Sequence, residues 1–152
     1  MKSSASIAGH PLHPILVAFP IGLWTFAFAA DLIYLLFAPH QYAWKQTAFF
    51  CIGGGLVGAV VAAAPGIVDY AGITGGGRLK RIAVAHLILN VGSLAIFGTS
   101  FWLRWNEQAA QASGLLPVVL AGLGVLFVGV AGWYGGEMVY KYKMAVSEPD
   151  KE

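Results

Sequence analysis

Four long apolar runs constrain this chain more than any other feature of its sequence. They cover residues 14–37, 47–67, 82–102 and 115–134, and short polar segments separate them. A helix that crosses the hydrocarbon core of a bilayer needs about 20 largely apolar residues, which is the length of each run. Only 11% of the 152 residues are charged, against about 25% in a typical soluble domain. The sequence therefore predicts an all-α integral membrane protein, a four-helix bundle that uses the whole chain.

The basic residues predict the orientation of the four helices. Cytoplasmic loops of membrane proteins carry an excess of Lys and Arg. Four crossings place seven of the nine basic residues on one side, and only Lys45 and Arg104 on the other. The seven are Lys2, Arg78, Lys80, Arg81, Lys141, Lys143 and Lys151. Both termini are therefore predicted to be cytoplasmic, and since topology explains the positive charge, nucleic acid is not an expected partner.

Each predicted helix carries one stripe of polar or small residues at helical spacing. In lipid, small residues mark helix contacts and polar side chains turn inwards, so the stripes predict the inner faces of the bundle. The stripes are His13, Val17, Pro20, Trp24 and Asp31; Cys51, Gly55, Gly58, Ala62, Gly66 and Asp69; His86, Asn90, Ser93, Phe97 and Ser100; and Gly122, Val125, Gly129, Gly132 and Gly136.

The two helical hairpins share a layout. The first and third helices each begin near a histidine, His13 and His86, and the second and fourth each reach an acid near their ends, Asp69 and Glu137. Two hairpins that enter from the same side suit a symmetry axis along the membrane normal. Such an axis predicts that the two histidines face each other.

A second histidine, His10, lies three residues before His13, and a proline follows each of the two. Proline favours extended backbone in the residue before it, and Pro14 is predicted to be the first residue of the helix. In a polyproline-like stretch the two imidazoles would lie about 9 Å apart along the axis. They are therefore not expected to chelate one ion by themselves.

Charged residues are placed at the helix ends and not near the bilayer midplane. Asp31 is near the outer edge, where Lys45 or Arg104 is predicted to pair with it. The midplane charge that is usual in secondary transporters is missing. No phosphate-binding loop, spaced cysteine motif or nucleophile–base–acid set occurs either, so independent catalytic activity is not expected.

The polar groups predicted at the cytoplasmic end leave several chemistries open. In one, His13 and His86 are the axial ligands of a b-type haem, His10 is an alternative or supporting ligand, and Asn90 orients His86 by hydrogen bonding. In another, a zinc or copper ion takes ligands from His10, His13, His86, Glu137 and Asp69. His86 and Asn90 also suit a quinone headgroup. In the last, these residues bond one another and anchor the bundle without a cofactor.

Several motifs resemble a bacterial family of membrane proteins known as domain of unknown function 2231. The double His-Pro signature, Gly9-His10-Pro11-Leu12-His13-Pro14, is the most specific of them. The others are Phe19-Pro20-Ile21-Gly22, Asp31, Gly66-Ile67-Val68-Asp69, Ala85-His86, Asn90 and Gly132-Trp133-Tyr134-Gly135-Gly136. The resemblance covers nearly the whole chain and implies four spans in the bacterial inner membrane.

The resemblance implies a role in membrane redox chemistry, because some members of that family are fused to Rieske-type iron–sulfur domains. The expected partners are the lipid bilayer, a membrane or peripheral redox protein, and a second copy of the chain. Family members often end their last helix with a Tyr-x-His segment. Tyr142 stands in place of that histidine here, so the resemblance implies that any ligand role at this position is lost or altered.

Overall fold

Helices form almost all of the computed structural model, which describes residues 3–74, 76–110 and 114–146. The elements in chain order are β1 (Ser6–Ile7), β2 (His10–Pro11), α1 (Leu12–Leu16), α2 (Ala18–Leu36), α3 (Ala43–Ala71), α4 (Arg78–Ala110) and α5 (Leu116–Tyr140). Four segments are long and apolar enough to cross a membrane: Leu12–Leu36, Ala43–Ala71, Arg78–Asn106 and Leu116–Tyr140. The predicted all-α four-helix membrane architecture is therefore confirmed.

The helices run beyond the apolar runs from which they were predicted. The third run was placed at residues 82–102, whereas α4 begins at Arg78 and continues to Ala110. Hydropathy marks only the part of a helix that lies in hydrocarbon. The backbone hydrogen bonds of a helix continue into the polar boundary, where charged side chains reach water.

A short β-hairpin precedes the first helix and was not predicted. The strands β1 and β2 are antiparallel. The two residues between them, Ala8 and Gly9, have φ angles of 49° and 80°. Two-residue hairpin turns of this kind need positive φ at both central positions, which glycine adopts without strain.

This hairpin corrects the polyproline prediction for the two histidines. His10 lies in β2, whereas His13 already lies in the first turn of a helix that begins at Leu12. Pro14 is thus a first-turn residue and not the first residue of the helix. Its missing N–H costs nothing there, because the N–H groups of a first turn have no partner within the helix.

The four membrane-crossing segments pack as two helical hairpins. The first consists of α1, α2 and α3, and the second of α4 and α5. The helix α2 packs against α3 and α5, and α4 packs against the same two helices. The first and third spans therefore lie diagonally opposite each other. Side chains that meet across this diagonal join the two hairpins.

Three pairs of side chains meet across the diagonal, one pair at each level of the bundle: His13 with His86, Trp24 with Phe97, and Asp31 with Arg104. All three pairs have the same separation in the sequence, 73 residues. The two hairpins are therefore in register, and a pseudo-twofold axis along the bundle relates them.

Glycines on the second and fourth spans are also equivalent under this pseudo-twofold axis, at a separation of 69 residues. A Cβ on Gly55 would lie 2.5 Å from Cδ1 of Trp24, and a Cβ on Gly124 would lie 2.6 Å from Cε2 of Phe97. The rings of Trp24 and Phe97 are stacked with centroids 4.3 Å apart. Each central ring thus packs directly on the backbone of the neighbouring helix in its own hairpin.

The inner face predicted for the fourth span was only partly right, since Val125 packs against the buried core and a Cβ on Gly122 would lie 3.0 Å from Cε2 of Phe28. Gly129 and Gly132 are exposed, and a Cβ on either would meet nothing within 4 Å. The buried face of α5 instead carries Pro117, Ala121, Gly124, Val128, Ala131 and Met138. Glycine and alanine occur on two faces of this helix, so small size alone did not identify the packed one.

One end of the bundle, here called the ion-pair end, is closed by Asp31 and Arg104. Both residues are buried, and the guanidinium donates two hydrogen bonds to the carboxylate, at 2.9 and 2.7 Å. Nε of Arg104 also donates to the hydroxyl of Ser100 at 3.3 Å. The predicted pairing of Asp31 is confirmed, with Arg104 as the partner. The opposite end, with His13 and His86, is called the histidine end.

Candidate functional site at the histidine end

His13 is held in place by α3, the other long helix of its own helical hairpin. Its Nδ1 lies 2.8 Å from the carbonyl oxygen of Ala62 in α3. A carbonyl oxygen only accepts, so Nδ1 carries the proton and donates. Gly66, one turn further along α3, makes room for the ring, since a Cβ there would lie 2.8 Å from Nδ1.

His86 has the same arrangement in the other hairpin. Its Nδ1 donates to the carbonyl oxygen of Ala131 in α5, also at 2.8 Å. Gly135, one turn further, lies against the ring, and a Cβ there would be 3.3 Å from Cε1. The separation from Ala62 to Ala131 equals that from Gly66 to Gly135. The pseudo-twofold relation therefore extends to the partners of both histidines.

The two imidazole rings face each other across the diagonal, as predicted. Their centroids are 6.2 Å apart and their planes are inclined at 85°. Each ring is hydrogen-bonded to a helix of its own hairpin, and the described contacts include no hydrogen bond from one ring to the other. Because each Nδ1 is used, Nε2 is the nitrogen with an available lone pair on both rings. Both histidines are half-buried.

Two residues predicted to support this pair make no described contact with either imidazole ring. His10 is exposed in β2. Asn90 is also exposed, and its amide donates to the backbone carbonyl of His86 at 2.8 Å, not to the ring. The carbonyl of Ala131 orients the His86 ring instead, which corrects the role predicted for Asn90.

Asp69 holds the N-terminal segment. One carboxylate oxygen accepts from the hydroxyl of Ser3 at 2.8 Å and from the backbone N–H groups of Ser4 and Ala5 at 2.9 and 3.2 Å. The carboxylate is buried with these three donors. It therefore serves as an anchor for the strand that leads to the β-hairpin.

Glu137 is engaged in ion pairs at the edge of the bundle. Its carboxylate lies 3.4 Å from Arg78 and 3.1 Å from Lys141. Within the described ranges, no group of three or more His, Cys, Asp or Glu side chains is close enough to hold a metal ion. Of the five residues named as a zinc or copper set, the structure brings together His13 and His86, and it engages Asp69 and Glu137 elsewhere.

Tyr142 packs in an apolar cluster at the same end of the molecule. Its neighbours there include Ile73, Ile82, Ala83 and Met138. The Tyr142 side chain therefore serves packing in this chain.

Sequence reasoning missed the partners of the two histidines. Both partners are backbone carbonyls, of Ala62 and Ala131, and a carbonyl is present in every residue. One signal was available, namely the Ala-x-x-x-Gly spacing that recurs as Ala62 to Gly66 and Ala131 to Gly135. A gap-free alignment on His13 and His86 does not reveal it, because those two residues are 73 apart in the sequence whereas Ala62 and Ala131 are 69 apart.

Comparison with known proteins gives one match. A family model described as "Predicted membrane protein (DUF2231)" matches residues 9–148. No curated protein and no solved structure matches the chain.

Proposed function

The chain belongs to the DUF2231 family of predicted membrane proteins, and we propose that it is a membrane redox component in which His13 and His86 bind the iron of one b-type haem. The observation that carries the proposal is the donor set of the histidine end. It consists of two facing imidazoles, each with Nδ1 bonded to a carbonyl and Nε2 available.

The hydrogen bonds at Nδ1 support a ligand role for both histidines. A histidine that binds a metal almost always donates its other ring N–H to a carboxylate, a backbone carbonyl or water, which sets the tautomer and raises the basicity of the binding nitrogen. His13 and His86 both meet this condition at 2.8 Å. Ligands that project from facing helices into a bundle core are also how four-helix proteins build cofactor sites.

The number of donors favours haem over a bare ion. A zinc ion takes three or four ligands from the protein, whereas the described part of the chain holds no cluster of three or more such side chains. A haem iron already has four nitrogen ligands in its macrocycle and takes only axial ligands from the protein. Two opposed imidazoles are therefore a complete donor set for haem and an incomplete one for zinc.

The position of the site defines its redox role. A single haem at one end cannot carry electrons across a hydrocarbon core about 30 Å thick. The role consistent with this position is electron exchange at one membrane face with another membrane or peripheral redox protein. Such a component has no independent catalytic activity of its own.

We further place the histidine end on the cytoplasmic face of the bacterial inner membrane, on the distribution of basic residues. Reporter fusions at Ser147 and in the loop before Arg78 should both report cytoplasm. A fusion at Gln111 should report the outside. Opposite compartments for the first two fusions would contradict this orientation.

The haem proposal is tested on detergent-purified protein from haem-replete cells. We expect reduced-minus-oxidised bands of a b-type cytochrome and one haem per chain by pyridine haemochrome assay. His13→Ala and His86→Ala should each lose or strongly alter these bands, because no covalent bond retains the cofactor. His40→Ala, which changes an exposed residue outside the site, is the matched control and should be silent.

A second candidate function is a non-enzymatic anchor or assembly subunit. It is favoured by the fact that each imidazole already has a hydrogen bond within its own hairpin, so both polar groups are satisfied without a ligand. A colourless, metal-free preparation would support this function and contradict the haem proposal. Stoichiometric copper or zinc by elemental analysis would instead assign the pair to a metal ion.

A further inference from the structure

The first turn of α4 carries three basic residues, Arg78, Lys80 and Arg81, with two different environments. Nζ of Lys80 lies 3.7 Å above the ring of Tyr70 and 3.4 and 3.5 Å from the carbonyl oxygens of Tyr70 and Ile73. Lys80 therefore caps the end of α3, where a cation is favourable. Arg78 and Arg81 instead line a cleft between α4 and α5.

This cleft is open to the surface, and two arginines are among the residues that line it. Its volume is about 340 Å³. It is lined by Arg78, Arg81, Ile82, Ala85 and Tyr134. Two arginines and one tyrosine are thus among the five residues that line this space.

The charges around the cleft leave a positive surplus. Arg78 has one ion pair, with Glu137 at 3.4 Å, and its side chain is 69% exposed. The carboxylate of Glu137 is shared with Lys141. Arg81 is exposed, and its side chain has no hydrogen bond or ion pair among the described contacts. An anion in the cleft would therefore find an uncompensated guanidinium.

The cleft also lies where the headgroup of a lipid would lie. Arg78 is the first residue of the third membrane-crossing segment. Below the arginines, Ile88 lies on the same face of α4 as Arg81 and is 64% exposed, and Val130 lies one turn from Tyr134 on α5 and is 49% exposed. A chain that descended from the cleft between these residues would enter the hydrocarbon region along an apolar surface.

We propose that the Arg78–Arg81 cleft binds the phosphodiester of an anionic phospholipid, with an acyl chain against Ile88 and Val130. Arginine binds phosphate oxygens through paired N–H donors, and basic pockets between membrane helices hold lipid headgroups in this way. The site is separate from the His13–His86 pair and does not depend on haem.

The test is lipid retention by native mass spectrometry after exchange from vesicles of phosphatidylcholine, with and without phosphatidylglycerol. The wild type should retain one phosphatidylglycerol in preference to phosphatidylcholine. The double variant Arg78→Gln/Arg81→Gln should bind it at least about tenfold more weakly, since each charge-assisted hydrogen bond is worth roughly a factor of ten. Arg78→Lys/Arg81→Lys, which keeps the charge but not the paired donors, should fall between the two.

Lys143→Gln is the matched control, because it removes one exposed charge at the same end of the bundle from a residue that does not line the cleft. Equal retention by the wild type and the double glutamine variant would overturn the site. So would an equal loss in the Lys143 variant, which would indicate nonspecific attraction. If the double variant lost haem absorbance and kept its lipid, the cleft would belong to the cofactor's carboxylates and the lipid proposal would be wrong.

Discussion

The two ends of the bundle place a polar pair at equivalent positions of the same two spans, yet the pairs are built in opposite ways. Asp31 and Arg104 bond directly to each other across the hairpin interface, at 2.7 and 2.9 Å. His13 and His86 bond only within their own hairpins and face each other at 6.2 Å. One pair joins the hairpins, and the other leaves the Nε2 atom of each ring without a hydrogen bond among the described contacts.

This difference is the one expected between a structural contact and the binding site that we propose. A buried charge requires its partner, because the cost of removing it from water is recovered only in the pair. A neutral imidazole with one hydrogen bond is satisfied and retains a second nitrogen for a ligand. The ion-pair end is therefore expected to determine stability, and the histidine end to determine function.

The largest effect on stability should come from breaking the ion pair. Asp31→Asn or Arg104→Gln leaves an uncompensated charge and should destabilise the bundle by about 3–5 kcal/mol. Thermal unfolding in detergent measures the loss. Replacing both residues by apolar ones of similar volume, as in Asp31→Leu/Arg104→Met, should cost much less than either single change.

The control for this prediction is His13→Ala/His86→Ala, which removes the pair at the other end. We expect its unfolding to stay closer to that of the wild type, since each histidine forms one neutral hydrogen bond worth about 1 kcal/mol. If the double histidine variant were the less stable of the two, the division of roles between the ends would be wrong.

Filling the central glycine contacts should have the next largest effect. Gly55→Ala and Gly124→Ala place a methyl group 2.5–2.6 Å from ring atoms of Trp24 and Phe97. Each should destabilise the bundle by about 1–3 kcal/mol through overpacking, and the two effects should be similar because the hairpins are equivalent. Gly129→Ala, where a Cβ meets nothing within 4 Å, should be neutral in the same unfolding assay.

The sequence allowed the spans and the facing histidines to be predicted, because hydropathy and helical spacing are local properties. The partner of Asp31 was narrowed to Lys45 or Arg104 by position alone. Contacts to backbone atoms could not be predicted from the sequence, and the carbonyls that accept hydrogen bonds from His13 and His86 are an example. The packed face of α5 was also missed in part, since Gly129 and Gly132 are as small as the residues that pack.

The anchoring role of Asp69 could not be predicted for a related reason. Its partners are Ser3 and two backbone N–H groups of the N-terminal segment. These groups reach the carboxylate only because β1 and β2 fold back as a hairpin before α1. Short strands of two residues have no periodicity that a sequence could reveal.

A smaller effect should distinguish the two histidine pockets from each other. Gly66→Ala would place a methyl group 2.8 Å from Nδ1 of His13, whereas Gly135→Ala would place one 3.3 Å from Cε1 of His86. Gly66→Ala must displace the His13 ring and break its hydrogen bond, which is worth about 1 kcal/mol. Gly135→Ala needs only a slight shift of the His86 ring. Histidine side-chain NMR should show a larger change at His13 in the first variant than at His86 in the second.

The smallest effect is expected for Asn90→Ala. The amide bonds only to the backbone of its own helix and is exposed, so its removal should leave the spectrum of bound haem and the unfolding temperature unchanged. An altered haem spectrum in this variant would show that Asn90 does influence His86 as a haem ligand.

The most direct measurement of the central claim is titration of the purified, haem-free protein with ferric haem, followed by absorption and electron paramagnetic resonance. The wild type should bind one haem in a low-spin, six-coordinate state with two imidazole ligands. His13→Ala and His86→Ala should each lose the low-spin signal and regain it when free imidazole is added to fill the vacated position. A wild-type low-spin signal in both variants without imidazole, or no stoichiometric haem binding by the wild type, would contradict the assignment of His13 and His86 as a joint ligand pair.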